Sequence, residues 1–336
     1  MGLKVLGSLA AAASLLFAGP VAAQTTELEA HFDTAFGTEM RLPPSYEARY
    51  ETAFEQRIAE IAAGDLGRIG VAAVDLTTGQ EVVVLGDQRF PMASTSKIAV
   101  AATFLEGVEK GRWSLSSEFP LLIPRRSAKF SSPAAPVVEG QYMSAIELIE
   151  IMITRSSNPA TDALLRVVGG PAAVNDWMRR NGIQEFSIDR DIATLVRDDG
   201  EFDPVSHIDR RDSATPKAMI KLLRGLYQGK YLNSESRRVI LGAMDRTRTG
   251  ARRMKALLPS GANVMHKTGS LNNTSSDVGI IETPDGRAIA VAIYVTGQGS
   301  RLNRERKIAA IARALYDGYS AANDARQWAN ADYGGK

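Results

Sequence analysis

The stretch that most constrains this chain runs Phe90-Pro91-Met92-Ala93-Ser94-Thr95-Ser96-Lys97 and continues as Ile98-Ala99-Val100-Ala101-Ala102-Thr103-Phe104-Leu105. Its second half is apolar on every side, which fits a helix buried at the centre of a sizeable core. A loop enters that helix with Ser94 at the first turn and Lys97 one turn later. Residues three apart share a helix face, so the Lys97 amine can reach the Ser94 hydroxyl. A hydroxyl becomes a nucleophile when a base takes its proton, and the positive end of a helix helps hold the resulting charge. Burial would lower the amine's pKa towards a useful base, an effect that a nearby carboxylate would reverse. By itself the pair is a weak signal. A chance Ser-x-x-Lys is expected about once in a chain of this composition, and the plain reading is a capping serine with a snorkelling lysine.

The N-terminus narrows the setting. Met1-Gly2-Leu3-Lys4 leads into a small and apolar run from Val5 to Gly19, closed by Val21-Ala22-Ala23. This is the pattern of a secretory signal peptide over residues 1–23, cleaved after Ala23. The apolar core, about 15 residues, is short for a bilayer span and is broken by Gly19-Pro20. The expected product is exported across the inner membrane to the periplasm, with no membrane anchor after cleavage, and acts as a monomer. The 336-residue chain has no cysteine, so neither disulfides nor thiolate chemistry are available to it. A net charge of +2 argues against nucleic acid as a partner.

Residues 24–44 show no clear period and read as an N-terminal pad. Ser45 then precedes a helix with Tyr50, Phe54, Ile58 and Ile61 on one face. Residues 68–75 and 81–86 are β-rich and joined by Thr77-Thr78-Gly79-Gln80, a hairpin. From Ser94 to about Asn263 the chain reads as helices and loops. Ser144 and Glu147 form a capping box, Asn158-Pro159 starts a helix that ends at Gly169-Gly170, and Thr215-Pro216 opens another. Strands return at 263–266, 278–283 and 288–295, followed by a helix with Ile308, Ile311, Ala312, Leu315 and Tyr319 on one face and a frayed tail over 321–336. The expectation is an α/β chain of the α+β type, with an antiparallel sheet of about five strands covered by the terminal helices. Residues 45–90 and 263–320 would build that part, 91–262 an inserted all-helical domain, and Ser94 would lie between them, where small-molecule sites tend to occur.

Two further stretches change the odds for Ser94. Ser156-Ser157-Asn158 follows the capping-box helix, and Lys267-Thr268-Gly269-Ser270 follows the strand at Asn263. In this order and at these intervals, the set with Ser94-x-x-Lys97 resembles the class A β-lactamases and related penicillin-recognising serine enzymes. The likeness runs from about Ser45 to Tyr319 and includes Thr249-Gly250-Ala251-Arg252-Arg253-Met254-Lys255-Ala256 and Ser276-Asp277-Val278-Gly279. It implies a β-lactamase/transpeptidase-like fold, no cofactor and a small-molecule β-lactam or cell-wall peptide as substrate. Ser94 would carry the acyl group, Lys97 would activate it, and the backbone N–H groups of Ser94 and Ser270 would form the oxyanion hole. Ser156 would pass a proton to the leaving nitrogen, Asn158 would hold the substrate amide and Lys97, and Lys267 and Thr268 would hold the substrate carboxylate. Gly269 would let the ligand approach as an added strand. Arg253 matches a second carboxylate-binding arginine, with a surface arginine as the plain alternative, and Phe130 matches an aromatic wall beside the substrate or else packs its own loop.

One departure bears on turnover. The efficient hydrolases of this family place a glutamate on the omega loop to prepare the deacylating water. Here that segment reads Ile188-Asp189-Arg190-Asp191-Ile192-Ala193, with Ile192 at the glutamate's position. Asp191, Asp198, Asp199, Glu201 and Asp203 are candidate substitutes, and Arg190 with Asp212 would close the loop. Ser157 stands where the family usually has aspartate. Slow deacylation is therefore expected. Alternatives are a D-Ala-D-Ala carboxypeptidase and a non-turnover penicillin-binding protein or sensor. A histidine-based esterase is disfavoured by the absence of a Gly-x-Ser-x-Gly elbow, and His31, His207 and His266 read as surface or packing residues. No His-Glu-x-x-His pattern suggests a metal.

Overall fold

The computed structural model describes residues 38–40, 52–64 and 66–331. The expected signal peptide over residues 1–23, His31, Tyr50 and most of the expected N-terminal pad lie outside the described residues. The elements in chain order are β1 (Thr38–Met40), α1 (Ala53–Ala62), β2 (Ile69–Asp75), β3 (Glu81–Val84), β4 (Phe90–Pro91), a 3₁₀ turn (Ala93–Ser96) and α2 (Lys97–Glu109). Next come β5 (Glu118–Pro124), β6 (Val137–Ser144), α3 (Ala145–Thr154), α4 (Asn158–Val168), α5 (Pro171–Arg180) and β7 (Phe186–Ser187). They are followed by α6 (Ile192–Arg197), β8 (His207–Asp209), β9 (Ser213–Ala214), α7 (Pro216–Tyr227) and α8 (Ser234–Asp245). The chain closes with β10 (Asn263–Leu271), β11 (Thr274–Glu282), β12 (Ala288–Thr296) and α9 (Arg301–Ala331).

The main sheet is antiparallel with strand order β10-β11-β12-β2-β3. Strands β2 and β12 are buried along their whole length, as central strands covered on both faces must be. Their side chains alternate between two cores. Val71 and Ala73 face a cluster with Ile58 of α1 and Ile308, Ile311 and Leu315 of α9. Ala72 and Val74 face the other cluster, with Phe90, Ile98, Met219 and Leu222. The second core continues into the helical part around α2, which is buried from Lys97 to Leu105. Burying Ile98, Phe104 and Leu105 contributes about 1.5–3 kcal/mol each, enough to make α2 the axis on which the other helices pack.

Several expectations shift. The first described helix starts at Ala53 with Thr52 and Glu55 as its capping box, while Ser45 lies outside the described residues. The stretch between Ser94 and Asn263 is not all helical, because β5 and β6 form a hairpin beside α4. Pro120, Pro124 and Gly140 hide that hairpin in the sequence, and its outward face is exposed. Part of the pad joins the fold, since β1 pairs with β8. The final helix runs to Ala331, past the point where fraying was expected.

Candidate active site

Ser94 sits on the 3₁₀ turn that leads into α2, a tighter entry than the α-helical first turn expected from sequence. In 3₁₀ geometry residues three apart eclipse, which stacks Lys97 over Ser94. Ala93 is held at φ 50, a left-handed conformation that costs a non-glycine residue about 1–3 kcal/mol. The turn is pressed against β10 at Gly269. A Cβ there would lie 2.6 Å from the Met92 carbonyl oxygen and 2.5 Å from Ser276 Oγ. Only glycine lets the Ser94 turn and the backbone before Ser270 come this close. Ser94 is half-buried and Ser270 exposed, so both face an accessible edge of the cleft.

Behind Ser94, two amines converge on one hydroxyl. Lys97 Nζ donates to Ser156 O (2.8 Å), Ser156 Oγ (3.2 Å) and Asn158 Oδ1 (2.7 Å). Lys267 Nζ donates to the same Ser156 Oγ (2.9 Å) and to Thr268 O (2.9 Å). Among the described residues Lys97 makes no hydrogen bond to Ser94 Oγ; its three acceptors all lie on the segment after α3. The grip on Ser156 O steadies a left-handed residue, φ 59. Ser157, and not Asn158, caps α4 by accepting from Ala160 N, which leaves the Asn158 amide for Lys97. Burial pushes the Lys97 pKa well below its ordinary value, helped by the charge of Lys267 and opposed by Asp162. Burial also lowers Lys267 to about 7, with Asp277 opposing and Arg253 assisting.

The other predicted residues fall around this cluster. Thr268 Oγ1 meets Thr249 Oγ1 at 2.7 Å. Arg253 is 2% exposed, which removes the surface reading. Its guanidinium donates to Gly269 O and Ser276 O (2.8 Å each), to Ser270 Oγ (2.6 Å) and to Glu305, so positive charge lies directly behind Ser270. Phe130 is exposed at φ 57 on the β5–β6 loop, and its N–H donates to Asp198 Oδ1, which ties that loop to the omega loop. His266 is fully buried against Asp277 at 2.8 Å. His207 Nδ1 lies 2.9 Å from Ser206 Oγ.

The omega loop closes as expected, with Arg190 Nε donating to Asp212 Oδ2 at 2.7 Å and the Asp189 and Arg190 N–H groups donating to Asp212 Oδ1. Ile192 begins α6 and is buried. The candidate substitute carboxylates are all engaged elsewhere. Asp191 caps α6 through Thr194 N, and Asp198 holds Arg197 and Phe130 N. Asp199 accepts from Asn272 N, Glu201 pairs with Arg211, and Asp203 accepts from Val205 N and Asn273. The carboxylate that does reach this region is Asp162 on α4, which sequence reading overlooked. Its oxygens accept from Ile192 N (2.7 Å) and Ala193 N (2.9 Å). Burial raises its pKa to about 7, against the pull of those N–H groups and of Lys97. Its position four residues after Asn158, one helical turn on, was the available clue.

Comparison with known proteins gives the family and the fold. Residues 53–319 match the model of the beta-lactamase enzyme family. The chain is 29% identical to the extended-spectrum beta-lactamase PER-1 of Pseudomonas aeruginosa, over 78% of this chain and 86% of that protein. It is 31% identical to beta-lactamase CTX-M-8 of Citrobacter amalonaticus, over 79% and 89% respectively. Among solved structures, a beta-lactamase from Chitinophaga pinensis superposes with a TM-score of 0.70 at 29% identity, covering 80% of this chain and all of that one. With an antiparallel sheet, a helical companion and three motifs gathered at one cleft, the chain belongs to the beta-lactamase enzyme family.

Proposed function

We propose that this protein is an exported serine hydrolase that opens β-lactam rings through an acyl-enzyme at Ser94, and that release of the acyl group is its slow step. The observation that carries the reading is the convergence of Lys97 and Lys267 on Ser156 Oγ. In acylation, Ser94 Oγ bonds to the lactam carbonyl carbon and its proton passes to the Lys97 amine, which must be neutral to accept it and whose pKa burial lowers. As the C–N bond breaks, Ser156 hands a proton to the leaving nitrogen and recovers one from Lys97. The N–H groups of Ser94 and Ser270 hold the oxyanion. Lys267, Thr268 and Ser270 bind the substrate carboxylate, with Arg253 reinforcing Ser270 from behind. Asn158 orients the substrate amide, and Phe130 borders the entrance. Export rests on the leader at residues 1–23.

Slow release follows from Ile192, whose side chain cannot accept a proton. Incubation with a penicillin should add one acyl group to Ser94, seen by intact mass, while a chromogenic cephalosporin is turned over slowly. Ile192→Glu should raise that steady rate about 10-fold or more, as restoring a general base would. An unmodified mass together with rapid drug loss would contradict the reading. Ile192 also favours a second reading, a carboxypeptidase on D-Ala-D-Ala ends, which D-alanine release from such a peptide would support.

A further inference from the structure

The geometry points to Asp162 as the base that activates the water of deacylation, and this inference rests on Ser94 being the acylated residue. An acyl-enzyme ester is hydrolysed when a nearby group takes a proton from water as the water attacks. A cavity of about 220 Å³ adjoins the cluster, lined by Asn158, whose amide holds Lys97, by Asp162, and by Ala193 and Val196 of α6. Among the described residues lining it, Asp162 is the one carboxylate. The acidic residues of the omega loop that are nearest in sequence cap α6 or pair with N–H groups and arginines.

Asp162 is 3% exposed, and the hydrogen bonds it accepts come from two backbone N–H groups. Each carboxylate oxygen has two lone pairs, so one on each remains for a water. Burial holds the group near the pKa that suits a base at neutral pH. The charged groups around it are Lys97 from α2, Asp191 and Arg197 from the omega loop, and Arg125 and Arg126 across the cavity.

The step balances. The water oxygen bonds to the acyl carbon while its proton moves to Asp162. The bond from that carbon to Ser94 Oγ then breaks, Ser94 Oγ takes a proton through the Lys97 amine, and Lys97 recovers it from Asp162. The acid leaves and every side chain returns to its starting state. Holding two N–H groups makes Asp162 a weaker base than a free carboxylate at the same depth, consistent with a slow release.

The test follows loss of a penicillin adduct by intact mass in the wild-type chain and in Asp162→Asn, in water and with added hydroxylamine, which is nucleophilic without help from a base. The variant should form the adduct, lose it to water about 100-fold more slowly, and lose it to hydroxylamine at a near wild-type rate. Equal loss to water overturns the inference. So does an equal slowing towards both nucleophiles, which would make Asp162 only a brace for α6. The wild-type chain gives a check independent of how the variant folds: release to water should rise between about pH 5 and 8, and a flat profile overturns the inference. If the wild-type chain gains no adduct, Ser94 is not the nucleophile and both readings fall; an adduct whose release ignores Asp162 overturns this one alone.

Discussion

At the residue scale the site is a problem of two buried cations. Lys97 and Lys267 both point at Ser156 Oγ; burial lowers the proton affinity of both, and the charge of Lys267 lowers that of Lys97 further. The tasks proposed for them are opposite. Acylation needs Lys97 neutral, so its rate should rise with pH through the depressed Lys97 pKa. Holding a substrate carboxylate needs Lys267 charged, so binding should weaken as pH climbs past about 7. The second-order acylation constant should therefore be bell-shaped in pH. Lys267→Arg, which stays charged, should flatten the alkaline limb and leave the acid one; an unchanged alkaline limb would assign that titration to another group.

At the scale of elements, the omega loop is held at its neck and along its base. The neck is the Arg190–Asp212 pair, with Asp212 buried at 5% side-chain exposure. Burial raises the Asp212 pKa, with Arg190 as the main counterweight. Removing one partner of such a pair leaves a buried charge and costs about 3–5 kcal/mol. Arg190→Ala should lose about that much in denaturant unfolding and expose residues 190–212 to protease; full resistance to cleavage would mean that the backbone bonds from Asp189 and Arg190 suffice. Along the base, Asp162 ties the start of α6 to α4. The β5–β6 hairpin presses on the same loop through Phe130 N and Lys129, which donates to Asp199 O.

For the whole molecule, the sheet has one core on each face, and Lys267 lies on β10 at the sheet's edge, where that sheet meets the helical part. A buried lysine is a cost to the fold. Its folded-state pKa, about 7, lies below the ordinary 10.5, so its stability contribution is present above the unfolded value and is lost as pH falls towards 7. Lys267→Met should therefore melt higher than the wild type near pH 7, with the gap narrowing as pH approaches 10. A gap independent of pH would mean that the lysine is charged in the folded chain throughout.

What the sequence determined by itself was local. The buried helix α2, the cap of α3 at Ser144, the Pro216 helix start and the hairpin between β2 and β3 were legible because periodicity, caps and turns act over a few residues. The three motifs marked Ser94, Lys97, Ser156, Asn158 and Lys267 for one chemistry. Tertiary structure decided what each of them touches. Ser156 and Lys267 stand 111 residues apart and Ile192 and Asp162 30 apart, and no local rule pairs them. Arg253 was an arginine of uncertain exposure until β10, β11 and α9 closed over it. The sequence carried only the helical spacing of Asp162 from Asn158, because a carboxylate's role depends on the water it has lost and the N–H groups it has gained, and both are set only when α4, α6 and the Lys97 cluster come together.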